Sequence, residues 1–164
     1  MLTKFTEIQT LYPEIHTDYR GDLWTLWKKD KNEITFNHDK VSSSRKNVLR
    51  GLHGDYKSHK LVTCLYGELY FVVVDNRPNS PTYRQWDSTI LDDKKRTQIL
   101  LPPGFANGFL VLSRDSIFHY KWLYEGNYPD VDQQFTIPWN DKDLNINWPI
   151  PNPILSNRDK SHES

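Results

Sequence analysis

At 164 residues the chain is long enough for one domain with a proper core and slightly short of the length at which two are expected. Lysine plus arginine balances aspartate plus glutamate at 21 each, which excludes a global field that would gather the protein onto nucleic acid or an anionic membrane. One cysteine, Cys64, excludes an internal disulfide framework, and the N-terminal MLTKFTEIQTLYPEI has no apolar run of signal-peptide or membrane-span length, so a cytoplasmic protein is expected.

Ten prolines and seven glycines punctuate short segments rich in Val, Ile, Leu, Tyr and Phe, and no apolar 3.6-residue period persists for three turns. This pattern predicts an all-β fold. In chain order, VLRGLHGD at 48–55 reads as a strand that carries Arg50 and His53 inside an apolar run. KLVTCLYGELYFVVVDNR at 60–77 reads as two strands around Tyr66-Gly67-Glu68, and the unbroken LYFVVV predicts a strand covered on both faces. TQILLPPGFANGFLVLS at 97–113 places a Pro-Pro-Gly corner before a second apolar run, and SIFHYKWLY at 116–124 alternates apolar and polar positions. WNDKDLNINWP at 139–149 has room for a short helical turn, and SNRDKSHES at 156–164 has the composition of a tail. The expectation is one sandwich or jelly-roll domain over 1–155 followed by that tail, with dimerisation as one way to close the sheets.

In a regular strand Arg50 and His53 would point to opposite faces. Gly51 permits a bulge, and a bulge there would bring both side chains into one cavity, a common arrangement beside active sites. A metal is a weak alternative: His53 and His59 are separated by about 20 Å if the chain between them is extended, and no His-x-His pair with a following carboxylate occurs. No serine stands in a nucleophile elbow, Cys64 lies in an apolar strand, and no glycine-rich phosphate loop precedes a helix. Any anion would have to be gripped by arginines.

What remains is acid–base chemistry on a bound anion, with His53 as base, Tyr120 or Tyr128 as acid and Lys60 as charge stabiliser. Those residue types suit removal of a proton next to a ketone. The reaction needs a base tuned near neutral pH, a cation at the developing enolate oxygen and a second acid for reprotonation.

VLRGLH, KLV, NRPNSPTYRQW, LPPGFANGFLVLS, HYK, WND, WP and LSNRD occur in an order and at a spacing that resemble the dTDP-4-dehydrorhamnose 3,5-epimerase family of the cupin superfamily, from about Asp18 to Asp159. The resemblance implies a cupin-type jelly-roll homodimer, sharing or exchanging strands, that uses no metal or organic cofactor. Its substrate would be a 4-keto sugar on a nucleoside diphosphate, in surface polysaccharide synthesis. It also implies that Arg50 binds the diphosphate, that His53 abstracts the proton with Asp159 orienting its ring, and that Lys60 stabilises the enolate. Tyr120 would be the acid on the far face, and Arg20 of DYRG a second phosphate-binding arginine that reaches across the dimer.

The chain departs from that pattern in three places. Asn107 in GFANGF stands where the family has histidine and cannot act as an acid at neutral pH, which leaves the number of inverted centres open. Gly54-Asp55 replaces Tyr-Gln after the histidine, so a different sugar is an option. In FNHDKVSSS, His38 and Lys40 replace a Gln and an Asn that frame the nucleotide, which points to the subgroup acting on GDP-linked 4-keto heptoses in capsule synthesis. Tyr128 of NYP is a further pocket residue. The alternatives are a C3-only epimerase, a 3,4-ketoisomerase and a non-catalytic sugar-nucleotide-binding cupin.

Overall fold

The structure, a computed structural model, describes residues 1–29 and 35–162. Among the described residues twelve strands run in chain order: β1 (Gln9–Leu11), β2 (Ile15–Asp18), β3 (Gly21–Trp24), β4 (His38–Arg45), β5 (Leu49–Gly54), β6 (His59–Tyr66), β7 (Glu68–Asp75), β8 (Trp86–Asp92), β9 (Gln98–Leu101), β10 (Phe105–Val111), β11 (Asp115–Leu123) and β12 (Phe135–Thr136). A 3-10 turn at Val131–Gln133 and a short helix, α1 (Asn157–Lys160), are the helical elements among the described residues. Two five-stranded sheets, ordered β1-β9-β6-β11-β4 and β12-β5-β10-β7-β8, form the sandwich, and β2 and β3 make a separate two-stranded hairpin. The named pairings within the sheets are antiparallel. This is the expected all-β, cupin-like sandwich. Among the described residues no helix is long and apolar enough to cross a membrane.

The two strands around Tyr66-Gly67-Glu68 do not pair with each other. β6 bonds β11 and β9 in the first sheet, and β7 bonds β10 and β8 in the second, so this turn carries the chain across the sandwich. The run LYFVVV is apolar throughout because β7 is buried on both sides. Phe71 and Val73 face the core between the sheets with Val62, Leu101, Phe109 and Phe118. Val72 and Val74 face outward into a second cluster with Leu52, Ala106, Ile137 and Leu144. Each such fully buried side chain contributes about 1.5–3 kcal/mol.

The segment from Ile137 to Trp148 lies over that outer face. The indole N–H of Trp86 donates to the Leu144 carbonyl at 2.8 Å and that of Trp148 to the Trp139 carbonyl at 2.8 Å. The short helical turn considered for 139–149 is a single turn in which the Asn145 N–H donates to the Asp141 carbonyl at 2.9 Å, and Asp141 Oδ1 organises it by accepting from the N–H groups of Asp143 and Leu144. From the N-terminal segment Leu2, Phe5 and Ile8 join the inter-sheet core.

The NRPNSPTYRQW loop between β7 and β8 is built on one carboxylate. Asp75, fully buried, accepts from the Arg77 guanidinium at 2.8 Å through both oxygens, from Ser80 Oγ at 2.5 Å and from Thr82 Oγ1 at 2.6 Å. Burial alone would raise its pKa, but these donors, Arg77 foremost, hold the carboxyl far below the ordinary range.

Ser156–Ser161 do not hang free as the composition of 156–164 suggested. Ile154 bridges Val48, its N–H donates to the Asn47 carbonyl at 2.8 Å, and its carbonyl accepts from Leu49 at 3.0 Å. The chain is thereby tied to the start of β5. Ser156 then caps α1, its hydroxyl accepting from the Asp159 N–H at 3.1 Å and donating to Asp159 Oδ2 at 2.8 Å.

Candidate active site

The two sheets part at one end around a cavity of about 260 Å³. Alternation along the strands decides which side chains reach it. From the first sheet come Lys40 and Ser42 of β4, Lys60 and Val62 of β6, and Phe118, Tyr120 and Trp122 of β11, each set two residues apart. The facing wall carries Arg50 and His53 of β5 with Asn107 and Phe109 of β10.

Arg50 and His53 share the cavity because the β5–β10 register slips between them. Asn107 pairs with His53, whereas Phe109 pairs with Arg50. The irregularity is centred on Gly51, whose φ of +125° suits glycine, and whose missing Cβ would sit 2.6 Å from Gly108 Cα and 2.9 Å from the Asn107 carbonyl oxygen. The bulge expected at this glycine is present.

His53 Nε2 lies 2.6 Å from Asp159 Oδ1. Asp159 is buried on α1 with its other oxygen on Ser156. Burial disfavours its charge, but the contact with His53 outweighs that and keeps the carboxyl below its usual pKa. The pair fixes one edge of the imidazole, and the ring lines the cavity. On the opposite wall Tyr120 is half-buried; burial raises its phenol above the ordinary value, against the opposing charge of Lys40, so it is a neutral proton donor near pH 7.

Lys60 is enclosed, 3.2 Å from Asp55 Oδ2 and 4.4 Å over the Trp122 ring. Arg50 is exposed at the mouth, where Nε donates to Ser44 Oγ at 2.9 Å. Lys40 meets the Tyr128 hydroxyl and lies 4.0 Å over that ring. Four cations therefore line one cavity, since Arg158 of α1 joins Lys40, Arg50 and Lys60. Such a lining complements a diphosphate.

Two of the expected residues lie elsewhere. His38 does not line the cavity: Nδ1 meets the Tyr124 hydroxyl at 3.0 Å and its ring packs on Tyr128, so it supports the wall from behind. Arg20 sits at the exposed turn of the β2–β3 hairpin, paired with Asp18 at 2.6 Å, outside the cavity lining. The Gly54 departure has a packing reason, because a side chain there would strike the Phe135 ring and approach the Phe105 carbonyl oxygen at 2.5 Å. Phe135 of β12 fills that space and packs at a tilt against the Tyr56 ring, centroids 5.0 Å apart.

Sequence reasoning missed Arg158, Trp122, Gln134 and Ser156 as lining residues. Trp122 stands two positions from Tyr120 on a strand already identified, so alternation could have found it. Arg158 donates to Thr136 Oγ1 and Gln134 Oε1, and its only signal was its place beside Asp159.

A family model described as dTDP-4-dehydrorhamnose 3,5-epimerase matches residues 2–164. A dTDP-4-dehydrorhamnose 3,5-epimerase of Shigella flexneri is 37% identical over 166 residues, covering 96% of this chain and 90% of its own. The crystal structure of the Bacillus anthracis str. Ames dTDP-4-dehydrorhamnose 3,5-epimerase with TDP and PPi bound is 36% identical with a TM-score of 0.90, over 98% of this chain and 95% of that one. A dTDP-6-deoxy-D-glucose-3,5-epimerase of Legionella pneumophila Philadelphia 1, in complex with dTDP-4-keto-L-rhamnose, is 36% identical with a TM-score of 0.89, over 98% and 89%. With fold, cavity and these likenesses in agreement, the chain belongs to the dTDP-4-dehydrorhamnose 3,5-epimerase family.

Proposed function

We propose that this protein is an isomerase that inverts C3 and C5 of a dTDP-linked 4-keto-6-deoxy sugar. The observation that supports it best is the placement of His53, held by Asp159, and Tyr120 on opposite walls of one cavity. In this reading His53 takes the proton from the carbon next to the C4 ketone, and the electron pair moves onto the ketone oxygen as an enolate beside the Lys60 ammonium. Tyr120 returns a proton to the carbon from the other face, and the centre inverts. Arg50 holds the diphosphate at the mouth; Lys40, Asn107 and Tyr128 contact sugar or nucleotide.

Heavy water tests this. The dTDP-4-keto-6-deoxyglucose substrate should gain deuterium at C3 and C5 with inverted product; no exchange at either carbon overturns the enzyme and leaves a binding module. Exchange confined to C3 identifies a C3-only epimerase, and a migrated carbonyl in the product NMR spectrum a ketoisomerase. The thymidine nucleotide follows from the ligands of the relatives, whereas the GDP-heptose reading rests on His38 and Lys40 of FNHDKVSSS, with Gly54-Asp55 leaving room for a different sugar. Titration with dTDP and GDP separates them, and tighter dTDP binding removes the guanosine reading.

We also infer that the chain works as a homodimer. The exposed β2–β3 hairpin, with Tyr19 97% and Leu23 72% exposed, supports this, since a second copy would cover it and receive Arg20 near its diphosphate. Light scattering should give about twice the 19.5 kDa chain mass, and a monomer would end this reading.

A further inference from the structure

Lys60 is the most enclosed cation of the cavity, with a side chain 7% exposed. An ammonium in such a place needs a counter-charge. Asp55, one residue past the end of β5, supplies a fully buried carboxylate 3.2 Å from Lys60 Nζ. Its Oδ1 accepts the N–H groups of Lys57 at 2.9 Å and Ser58 at 2.6 Å, which fixes the carboxylate on the turn into β6. Its Oδ2 has no hydrogen-bond partner of good geometry among the described residues and is turned to the lysine.

The other groups around Lys60 do not replace it. Lys40 from β4, Arg50 from β5 and Arg158 from α1 are cations, and the charges of Lys40 and Arg158 act against a nearby ammonium. Asp159 is engaged by His53 and Ser156, and Asp130 is exposed at the rim. Tyr120 and Tyr128 are phenols. Burial therefore pushes Lys60 below the ordinary lysine value, and Asp55 is the group that opposes it.

We propose that Asp55 is a positioning residue that keeps Lys60 an ammonium inside the cavity and aims it at the ketone oxygen of the bound sugar. This rests on the epimerase reading above, in which Lys60 stabilises the enolate.

Asp55 also braces a turn, so the test must separate the two roles. Asp55→Asn keeps an oxygen for the Lys57 and Ser58 N–H groups and removes the charge. In that variant the alkaline limb of kcat/KM should move at least one pH unit toward acid, with kcat falling more than KM rises. NMR of 13C-lysine-labelled protein, with Lys60 assigned through Lys60→Arg, should show Lys60 titrating at lower pH than in the wild type. An unshifted Lys60 titration overturns the proposal, and so does a shifted titration with an unmoved alkaline limb. Wild-type protein that exchanges no deuterium overturns the epimerase reading, while the NMR titration still reports on the pair.

The double variant Asp55→Asn/Lys60→Met covers poor folding of either single one. Removing both charges should give a higher melting temperature than removing one. Additive losses overturn the ion pair.

Discussion

His53 Nε2 and Asp159 Oδ1 lie 2.6 Å apart although 106 positions separate the two residues in the chain. The contact depends on the Ile154 bridge to Val48, which brings α1 against β5. Asp159→Asn replaces an acceptor that matches the imidazole N–H by an amide, leaving the ring's orientation and charge unsupported. Turnover should fall by about a hundredfold or more, measured as deuterium uptake at C3, with nucleotide affinity little changed. Full activity in this variant would show that Asp159 is only a structural anchor for α1.

Tyr120→Phe tests the opposite wall. The ring packs between Phe118 at 5.5 Å and Trp122 at 5.9 Å, so losing the hydroxyl should change stability by less than about 1 kcal/mol. Chemistry should change more, because His53 can still remove and return a proton on its own face. The expected result is deuterium exchange with retained configuration and little inverted product. Normal inversion would assign the acid to Tyr128, which shares the cavity.

How much of this was legible in the sequence depends on the range of the interaction. The strands that carry His53, Lys60, Asn107 and Tyr120 follow from apolar runs and turn residues, which act locally. Gly51 between Arg50 and His53 announced the bulge for the same reason. The role of Asp159 came from resemblance alone, and the polarity of SNRDKSHES pointed to a tail. A capping signal was nevertheless present, since Ser156 stands three residues before Asp159. No local pattern could report that Ile154 docks on Val48, and no spacing could show that His38 lies behind Tyr128 while Lys40, two residues on, reaches the cavity.

Asp75 predicts the acid stability of the fold. Because its pKa in the folded protein is depressed, its stabilisation is fully present above the ordinary carboxylate value, about 3.9, and is lost as pH falls toward the lower folded value. Asp75→Ala leaves Arg77, Ser80 and Thr82 without their common acceptor and should cost about 3–5 kcal/mol near neutral pH. Melting temperatures at pH 6 and pH 3 check the sign: the variant should lose less than the wild type between them. An equal loss in both proteins would show that other carboxylates govern acid unfolding.

Gly51→Ala asks whether the bulge serves the site or merely accommodates a loose sequence. The added methyl would lie 2.6 Å from Gly108 Cα and 2.9 Å from the Asn107 oxygen, both backbone atoms that cannot swing aside, and φ is +125°. Overpacking of this kind costs about 1–3 kcal/mol, and the strained backbone adds about 1–3 kcal/mol. The strand can relieve the clash only by moving β5 away from β10, which separates His53 from its neighbour Asn107 and turns Arg50 from the cavity. Stability and turnover should therefore fall together. Gly126→Ala is the control, with φ of +70° and open space around the new methyl; it should cost about 1–2 kcal/mol and leave kcat unchanged. If Gly51→Ala melts like the control and turns over normally, the bulge does not set the geometry of the catalytic pair.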